Sequence, residues 1–237
     1  MTITAAWVRS IRNCKELIVV SDSRLNGGNK MDCGQKVLSL PRSDAFICFA
    51  GDTSWAYPMM HQVANAISNY ERSASRAQDI VELKSHVLKI FEGLLKTVHD
   101  ACGDSGVPSA EFLFGGYSWI RSRFMIWRIH YLTPAGPSSL IAVENSQRQQ
   151  FINAGRFIAV RSNYIHGHPY IFGGDKDHVA TARNELIVLL KSRDKLSNQN
   201  SSFKFDWEPF EVIRDMLRKA ESNITDYKNA SIGGVPQ

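Results

Sequence analysis

Three residues in the first part of the chain could together cleave an amide bond. Removal of Met1 would expose a free α-amine on Thr2, beside that residue's own hydroxyl. An α-amine has a pKa of about 7.7 to 8.0, so near neutral pH it can accept the hydroxyl proton and turn Thr2 Oγ into a nucleophile. The ammonium of Lys36 would stabilise the developing alkoxide, and Asp22 would keep that lysine oriented and charged.

A hairpin is expected to bring these residues together. Residues 2–8 and 17–21 are rich in apolar and β-branched side chains, which predicts two paired strands. With the turn centred near Arg12, paired residue numbers sum to 24, so Thr2 lies opposite Asp22. A slip of one residue would turn Asp22 to the other face. Lys36 starts the next strand after a Gly/Asn-rich loop, and Gly51 follows the fourth strand, where a helix begins.

The remaining pattern predicts alternating runs of strands and helices. Strands at 36–40 and 45–50 precede a helix that opens at Asp52 or Thr53 and a second helix over 77–99. Strands resume at EFLFGGY, RFMIWRIHYL, SLIAVE and FINAGRFIAVRS. Asp175 opens a third helix, a fourth covers 209–222, and ASIGGVPQ is typical of the start of a final strand. Such runs favour an α+β fold, a four-layer αββα sandwich of two antiparallel sheets flanked by helices, built as one domain from residues 1–237.

Composition is that of an ordinary globular protein. The chain has 237 residues, 28 Lys and Arg against 23 Asp and Glu, and 43% hydrophobic residues, which excludes collagen-like, disordered and small disulfide-framework classes. The longest stretch without charged residues, 53–70, is too polar to span a bilayer, and no secretory signal is recognisable. We therefore expect a cytoplasmic protein without a membrane partner. The four cysteines lack metal-binding spacing, so free thiols are expected.

Four segments carry a resemblance to a known family. TITAAWV, LIVVSDSR, GQKVLSL and FICFAGDTSWA, in this order and at about this spacing, resemble the opening of proteasome β subunits and their bacterial peptidase relatives, which are N-terminal nucleophile (Ntn) hydrolases. The resemblance implies that Thr2 is the nucleophile, that Asp22 and Arg24 form the D-x-R pair, and that Lys36 is the active-site lysine. It also implies that Gly51 is the oxyanion-hole glycine.

The same resemblance implies an activity and partners. The family fold is the αββα sandwich, and the activity is threonine-type hydrolysis of peptides or unfolded proteins without a metal or other cofactor. A homo-oligomer is implied, with a possible ATPase or regulatory cap.

Two positions depart from the family pattern. The loop between Thr2 and Asp22 is about four residues longer than the family's, which leaves Thr4 as an alternative aligned residue. The family's serine-containing turn before the third helix is replaced by Gly173, Gly174 and Asp175, which have no hydroxyl. A catalytically inactive scaffold or assembly subunit is therefore the second hypothesis.

A nucleic-acid interface is a weaker interpretation of the sequence. A basic segment with aromatics contains Arg121, Arg123 and Arg128, and its alternation favours an edge or outward strand face over an RNA-stacking surface, so a nucleic-acid partner is not expected.

A metal site is a second weaker interpretation. The segment HGHPYIFGGDKDH holds three histidines and two aspartates but lacks the i, i+4 histidine pair of a helical zinc motif. A loop followed by a helix N-cap is the favoured interpretation, with no metal.

Overall fold

A computed structural model describes residues 2–26, 30–98, 107–133, 155–196, 203–222 and 231–237. These residues form nine β-strands and five α-helices. The strands are β1 Ile3–Ile11, β2 Cys14–Ser21, β3 Val37–Ser39, β4 Ala45–Gly51, β5 Ala110–Ser118, β6 Arg123–Leu132, β7 Arg156–Arg161, β8 Asn163–Ile165 and β9 His168–Gly174. The helices are α1 Thr53–Asn69, α2 Glu71–Ala74, α3 Ile80–Leu95, α4 Lys176–Ser192 and α5 Glu208–Ser222.

The chain divides into two compact units. The first comprises Met1–Val37, Cys48–Ala50 and Arg161–Gln237, and the second comprises Leu38–Ile47 and Gly51–Val160. The protein is mixed α+β with two antiparallel sheets, as the sequence predicts.

In the first unit, a four-stranded sheet of order β2-β1-β9-β8 carries two helices. Helix α4 packs on β9 and helix α5 packs on β1, because each helix presents an apolar stripe to the sheet. The buried core lies between them and includes Ile3, Ala5, Trp7, Phe172, Val179, Ala182, Leu186, Leu190, Phe205, Val212, Ile213 and Leu217.

In the second unit, the sheet has the order β3-β4-β5-β6-β7, and helices α1 and α3 pack against β5. Phe91 of α3 lies 4.7 Å from the ring of Phe112 and 5.0 Å from that of Phe157. Strand β6 lies between two other strands, so the basic and aromatic segment is not an edge strand. Its Arg128 lies 3.8 Å from the carboxylate of Glu111 on β5.

Aspartates begin the three long helices that follow described loops. Asp52, Asp79 and Asp175 each accept a hydrogen bond from a backbone N–H of the first turn, which satisfies a donor that the helix itself leaves unpaired. The predictions that α1 opens at Asp52 and α4 at Asp175 are confirmed. The second predicted helix, 77–99, is shorter, because Asp79 caps α3 at Ile80.

The hairpin register predicted from the sequence is wrong by one residue. Ile11 pairs with Cys14 and Thr4 with Ser21, so paired residue numbers sum to 25. The loop has two residues, and Arg12 occupies it with a φ of 51°, a left-handed conformation that closes the turn early. Residues 9–11 and 14–16, which lie between the two predicted strands, extend both strands instead.

The segment HGHPYIFGG was predicted as a loop, and the structure contradicts this. Residues 168–174 form β9, the strand that pairs with β1 from Ile3↔Gly174 to Trp7↔Tyr170. His166 and Gly167 make the turn from β8, with φ of 46° and 81°. Strands β8 and β9 lack a clean alternation of polar and apolar residues. Their extended conformation therefore depends on pairing with a neighbouring strand and not on a local sequence pattern.

The final strand expected from ASIGGVPQ is not formed, because residues 231–237 have no strand assignment. The remaining predicted elements differ less. The fourth predicted helix, 209–222, is α5, which begins one residue earlier, and four strands precede α1 as expected. The strand predicted at 139–144 and the position of Met1 lie outside the described residues. Within the described ranges, none of the helices is long and apolar enough to cross a membrane.

Glycine is required at position 174, where β9 approaches Thr2. Gly174 has a φ of 114°, and an added Cβ would lie 2.0 Å from the carbonyl oxygen of Thr2. We expect Gly174→Ala to lower the free energy of unfolding by more than about 2 kcal/mol. Gly93→Ala is the control, because α3 leaves open space there, and it should be neutral or stabilising by up to about 1 kcal/mol. Equal urea denaturation midpoints for the two variants would contradict this account.

Candidate active site

A threonine, a lysine and an aspartate meet inside the first unit. Lys36 Nζ lies 2.9 Å from Thr2 Oγ1 and 3.0 Å from Asp22 Oδ1. The side chains are almost fully buried, with 3% of Thr2, 1% of Lys36 and none of Asp22 exposed. The structure therefore brings together the three residues that the sequence analysis selected for their chemistry.

Asp22 is held by local backbone geometry although the predicted register is wrong. Strand β2 ends at Ser21, so the alternation of faces no longer applies to the next residue. The Asp22 N–H donates to Ile3 O at 3.1 Å, and Ile3 N–H donates to Asp22 Oδ1 at 3.1 Å. Because both bonds join the same two residues, the carboxylate is fixed beside the start of β1.

Lys36 is anchored through its own backbone just before β3. Its carbonyl oxygen accepts from Phe49 N–H at 3.1 Å, and its N–H donates to Gln237 Oε1 at 2.9 Å. A lysine side chain loses considerable rotamer freedom on burial. Fixing the backbone on both sides leaves only the side-chain torsions to be set by Asp22 and Thr2.

Burial and charge pairing oppose each other at this ion pair. Burial lowers the pKa of Lys36, and the attraction of Asp22 raises it by less. Burial likewise raises the pKa of Asp22, against the attraction of Lys36 and the hydrogen bonds from Ile3 and Gly233. A lysine with a lowered pKa gives up and takes back a proton more readily than an exposed lysine.

The backbone of Thr2 is tied to the start of helix α4. Asp175 N–H donates to Thr2 O at 3.1 Å, while the Asp175 side chain caps the helix by accepting from two N–H groups of the first turn. The glycine at 174 permits this approach, because any Cβ there would overlap Thr2 O. The Gly-Gly-Asp sequence thus positions the threonine main chain without supplying a hydroxyl.

Arg24 is buried against the carboxylate of Asp32, whereas Lys36 contacts Thr2 and Asp22. Its Nε and Nη2 donate to the two oxygens of Asp32, at 2.6 and 2.9 Å. A Cβ at Gly233 would lie 2.4 Å from the guanidinium carbon, so glycine there lets the chain pass over Arg24. The positive charge of Arg24 also lowers the pKa of Lys36 slightly.

Gly51 ends β4 and lies in the second unit. Its φ is 104°, and an added Cβ would lie 2.2 Å from the carbonyl oxygen of Ser109. The close approach to the residue before β5 requires glycine at this position on structural grounds alone.

The alternative threonine, Thr4, is not part of the cluster. It lies within β1 between Ser21 and Gly173, and only 1% of its surface is exposed. Its hydroxyl finds no hydrogen-bond partner within the described part of the chain. The hydroxyl that contacts Lys36 is therefore that of Thr2 and not that of Thr4.

The histidines of the segment 166–178 have packing partners. His166 and His168 pack at an angle against Phe203, with ring centroids 5.4 and 5.6 Å away, and His178 Nε2 lies 2.5 Å from Ser231 Oγ. The described residues contain no group of three or more histidine, cysteine, aspartate or glutamate side chains placed to hold a metal ion.

Comparison with known proteins adds no assignment. No protein-family model matches the chain, and no curated protein matches it.

Three residues at the site were not found from the sequence. Asp32 binds Arg24, and Gly233 and Gln237 contact the segments that carry Asp22 and Lys36. Gly233 and Gln237 lie about two hundred positions from their partners. Because no local pattern links positions so far apart, the sequence offers no signal for these contacts.

Removing the cation should destabilise the protein in a pH-dependent way. Lys36→Met leaves the buried Asp22 carboxylate without its partner, which should cost about 3–5 kcal/mol at neutral pH. An acid whose folded-state pKa is raised stabilises the fold below its unfolded pKa and loses that stabilisation as pH rises. The defect should therefore shrink toward about pH 4 and grow above it.

Urea denaturation of Lys36→Met and of the double variant Lys36→Met/Asp22→Asn tests this account. The second substitution removes the stranded charge, so it should restore at least about 1 kcal/mol. Single and double variants of equal stability at pH 7 would show that the stranded Asp22 carboxylate is not the source of the defect.

Cys48, buried beside this cluster, should be unreactive in the folded protein. Burial raises the pKa of its thiol to about 12, against smaller opposing effects of Ser21 and Lys36. At pH 8, about one molecule in 10⁴ then carries the reactive thiolate. Iodoacetamide should label the exposed Cys14 and Cys33 and reach Cys48 only after unfolding in urea. Peptide mass spectrometry showing Cys48 and Cys14 labelled at equal rates in the folded protein would contradict the buried placement.

Proposed function

We propose that this chain is a threonine-type peptidase or amidohydrolase that uses Thr2 as an N-terminal nucleophile once Met1 is removed. One observation carries the proposal: Lys36 Nζ contacts Thr2 Oγ1 at 2.9 Å while Asp22 holds the same nitrogen at 3.0 Å. A buried cation within hydrogen-bond distance of a hydroxyl lowers the energy of the alkoxide that forms when the hydroxyl loses its proton.

In the first step, Thr2 Oγ attacks the carbonyl carbon of a peptide bond. The free α-amine of Thr2 accepts the hydroxyl proton, directly or through a water molecule, and later delivers it to the departing amine. The C–N bond breaks as the ester bond to Oγ forms. Lys36 stabilises the negative charge that develops on Oγ, which its ammonium contacts at 2.9 Å.

In the second step, water attacks the ester carbon and releases the acid. The α-amine takes a proton from the water and Oγ recovers its hydrogen, so the enzyme returns to its starting state. A backbone N–H donor stabilises the oxyanion that forms in each step. One such donor contributes about 10² to 10³ in rate.

The proposed setting is a proteasome-like Ntn hydrolase. Two antiparallel sheets, each with helices packed on it, support the four-layer αββα arrangement. By the same resemblance, the subunit assembles into a homo-oligomer in the cytoplasm and acts on peptides or unfolded proteins. An ATPase or a regulatory cap is the further partner that the resemblance suggests.

A catalytically inactive scaffold subunit is the second candidate. The observation that favours it is the burial of the threonine, of which only 3% is exposed to solvent. The absence of a hydroxyl in the Gly173–Asp175 turn points the same way. Intact mass and peptide hydrolysis separate the two candidates, because activity requires loss of Met1.

Hydrolysis of fluorogenic peptides by protein that begins at Thr2 tests the proposal. Thr2→Ala removes the nucleophile and should lower kcat at least about 10³-fold, whereas Thr2→Ser keeps a hydroxyl and should retain measurable turnover. Lys36→Arg keeps a positive charge but replaces the compact ammonium with a larger guanidinium, so it should lower kcat about 10² to 10⁴-fold.

Thr4→Val is the matched control, because the hydroxyl at position 4 is buried without a partner within the described residues. It should leave kcat and KM within about twofold of the unsubstituted protein, since the substitution breaks no hydrogen bond within the described residues and keeps the branched shape of the side chain. Turnover that survives Thr2→Ala and disappears with Thr4→Val would move the nucleophile to Thr4. No turnover in protein shown by mass to lack Met1 would favour the scaffold.

A further inference from the structure

Residues 231–237 run beside the end of β2, next to Asp22. Gln237 N–H donates to Ser21 O at 2.8 Å, and Ser21 N–H donates to Gln237 O at 3.3 Å. Two residues that exchange both bonds form a pair like those of an antiparallel ladder. The backbone of Gln237 is thus fixed to the residue immediately before the aspartate of the site.

The side chain of Gln237 spans the segment that leads to Lys36. Its Oε1 accepts from Lys36 N–H at 2.9 Å, and its Nε2 donates to Gly34 O at 2.7 Å. A carboxamide is suited to this position because it offers one acceptor and one donor about 2 Å apart on the same rigid group. A single residue therefore joins the backbones that carry Asp22 and Lys36.

The same segment reaches Asp22 and its neighbour at two more points. Gly233 N–H points to Asp22 Oδ2 at 3.4 Å, the oxygen that Lys36 does not use. Val235 N–H donates to Ser23 Oγ at 3.0 Å. Residues 21, 22 and 23 therefore each have a partner in residues 231–237.

We infer that Gln237 is a positioning residue that sets Lys36 against Thr2 Oγ1 through the Lys36 backbone. Lys36 lies between a loop and the short strand β3, and on the loop side its N–H donates to Gln237 Oε1. Releasing that N–H and Gly34 O lets residues 34–36 move away from β2, and Nζ then leaves the hydroxyl. The catalytic consequence rests on the proposed function, whereas the placement of Lys36 does not.

Gln237→Ala is the informative change, because it removes both carboxamide bonds and leaves the backbone pair with Ser21 in place. Gln237→Glu keeps the size and the acceptor but loses the donor to Gly34 O at neutral pH. Val235→Ala is the matched control, since that side chain lies in the same segment, is 65% exposed, and takes part in neither bond.

Reactivity of Lys36 is measured first, by competitive labelling with acetic anhydride over a pH series and peptide mass spectrometry. In Gln237→Ala we expect the limiting labelling rate of the neutral Lys36 amine, reached at high pH, to be at least about tenfold faster because the amine becomes accessible. Its pKa should move up toward the ordinary lysine value because the amine regains solvent. Gln237→Glu should show a smaller change of the same sign, and Val235→Ala none. Urea denaturation of each variant separates this local effect from a general loss of stability.

Peptide hydrolysis is measured second, on the same proteins beginning at Thr2. With Lys36 displaced, kcat should fall at least about tenfold while KM stays within about threefold, because the lysine acts on the transition state and not on substrate binding. Unchanged labelling and pKa of Lys36 in Gln237→Ala, even with lowered stability, would overturn the inference. If labelling changes as expected but the unsubstituted protein has no turnover, the positioning role stands and the proposed peptidase activity falls.

Discussion

The buried pair of Lys36 and Asp22 is the interaction on which the site depends. Taking two charges out of water costs several kcal/mol for each ion, and the pair recovers this only when the geometry is good and the remaining polar atoms are bonded. The protein meets that condition with backbone N–H groups on Asp22 and with a threonine hydroxyl as a second partner of the lysine. Such an arrangement is a poor choice for stability alone, and this is the physical reason for proposing a function at this pair.

The pair also explains why so many backbone contacts converge on it. Residues 2–3, 21–24, 34–36 and 231–237 supply the atoms, and each segment is fixed by main-chain hydrogen bonds before its side chain enters the cluster. Glycines at 174 and 233 allow two of these segments to approach within a distance that any side chain would forbid. A flexible lysine gains precision in this way, because the surrounding main chain removes most of its freedom.

Element types were predictable where a local pattern was strong, and register and pairing were not. The apolar stripe of α3, the caps Asp52 and Asp175 and the strands β5 and β6 all follow from residues close in sequence. The hairpin register depended on whether the loop had two residues or three, a choice of small energy that Arg12 decides by adopting a left-handed conformation. Strand β9 was missed because its strand character comes from pairing with β1, and not from its own composition.

The sequence alone determined which chemical groups are available: a threonine that can become the first residue, a lysine, an aspartate and the strands that carry them. Only the tertiary structure decided that Lys36 lies on Thr2 and not on Thr4, that Arg24 is occupied by Asp32, and that residues 231–237 support the site. The physical reason is the separation along the chain over which each effect acts. Propensity and periodicity act over a few residues, whereas a buried charge is satisfied by whichever groups the completed fold brings within about 3 Å of it.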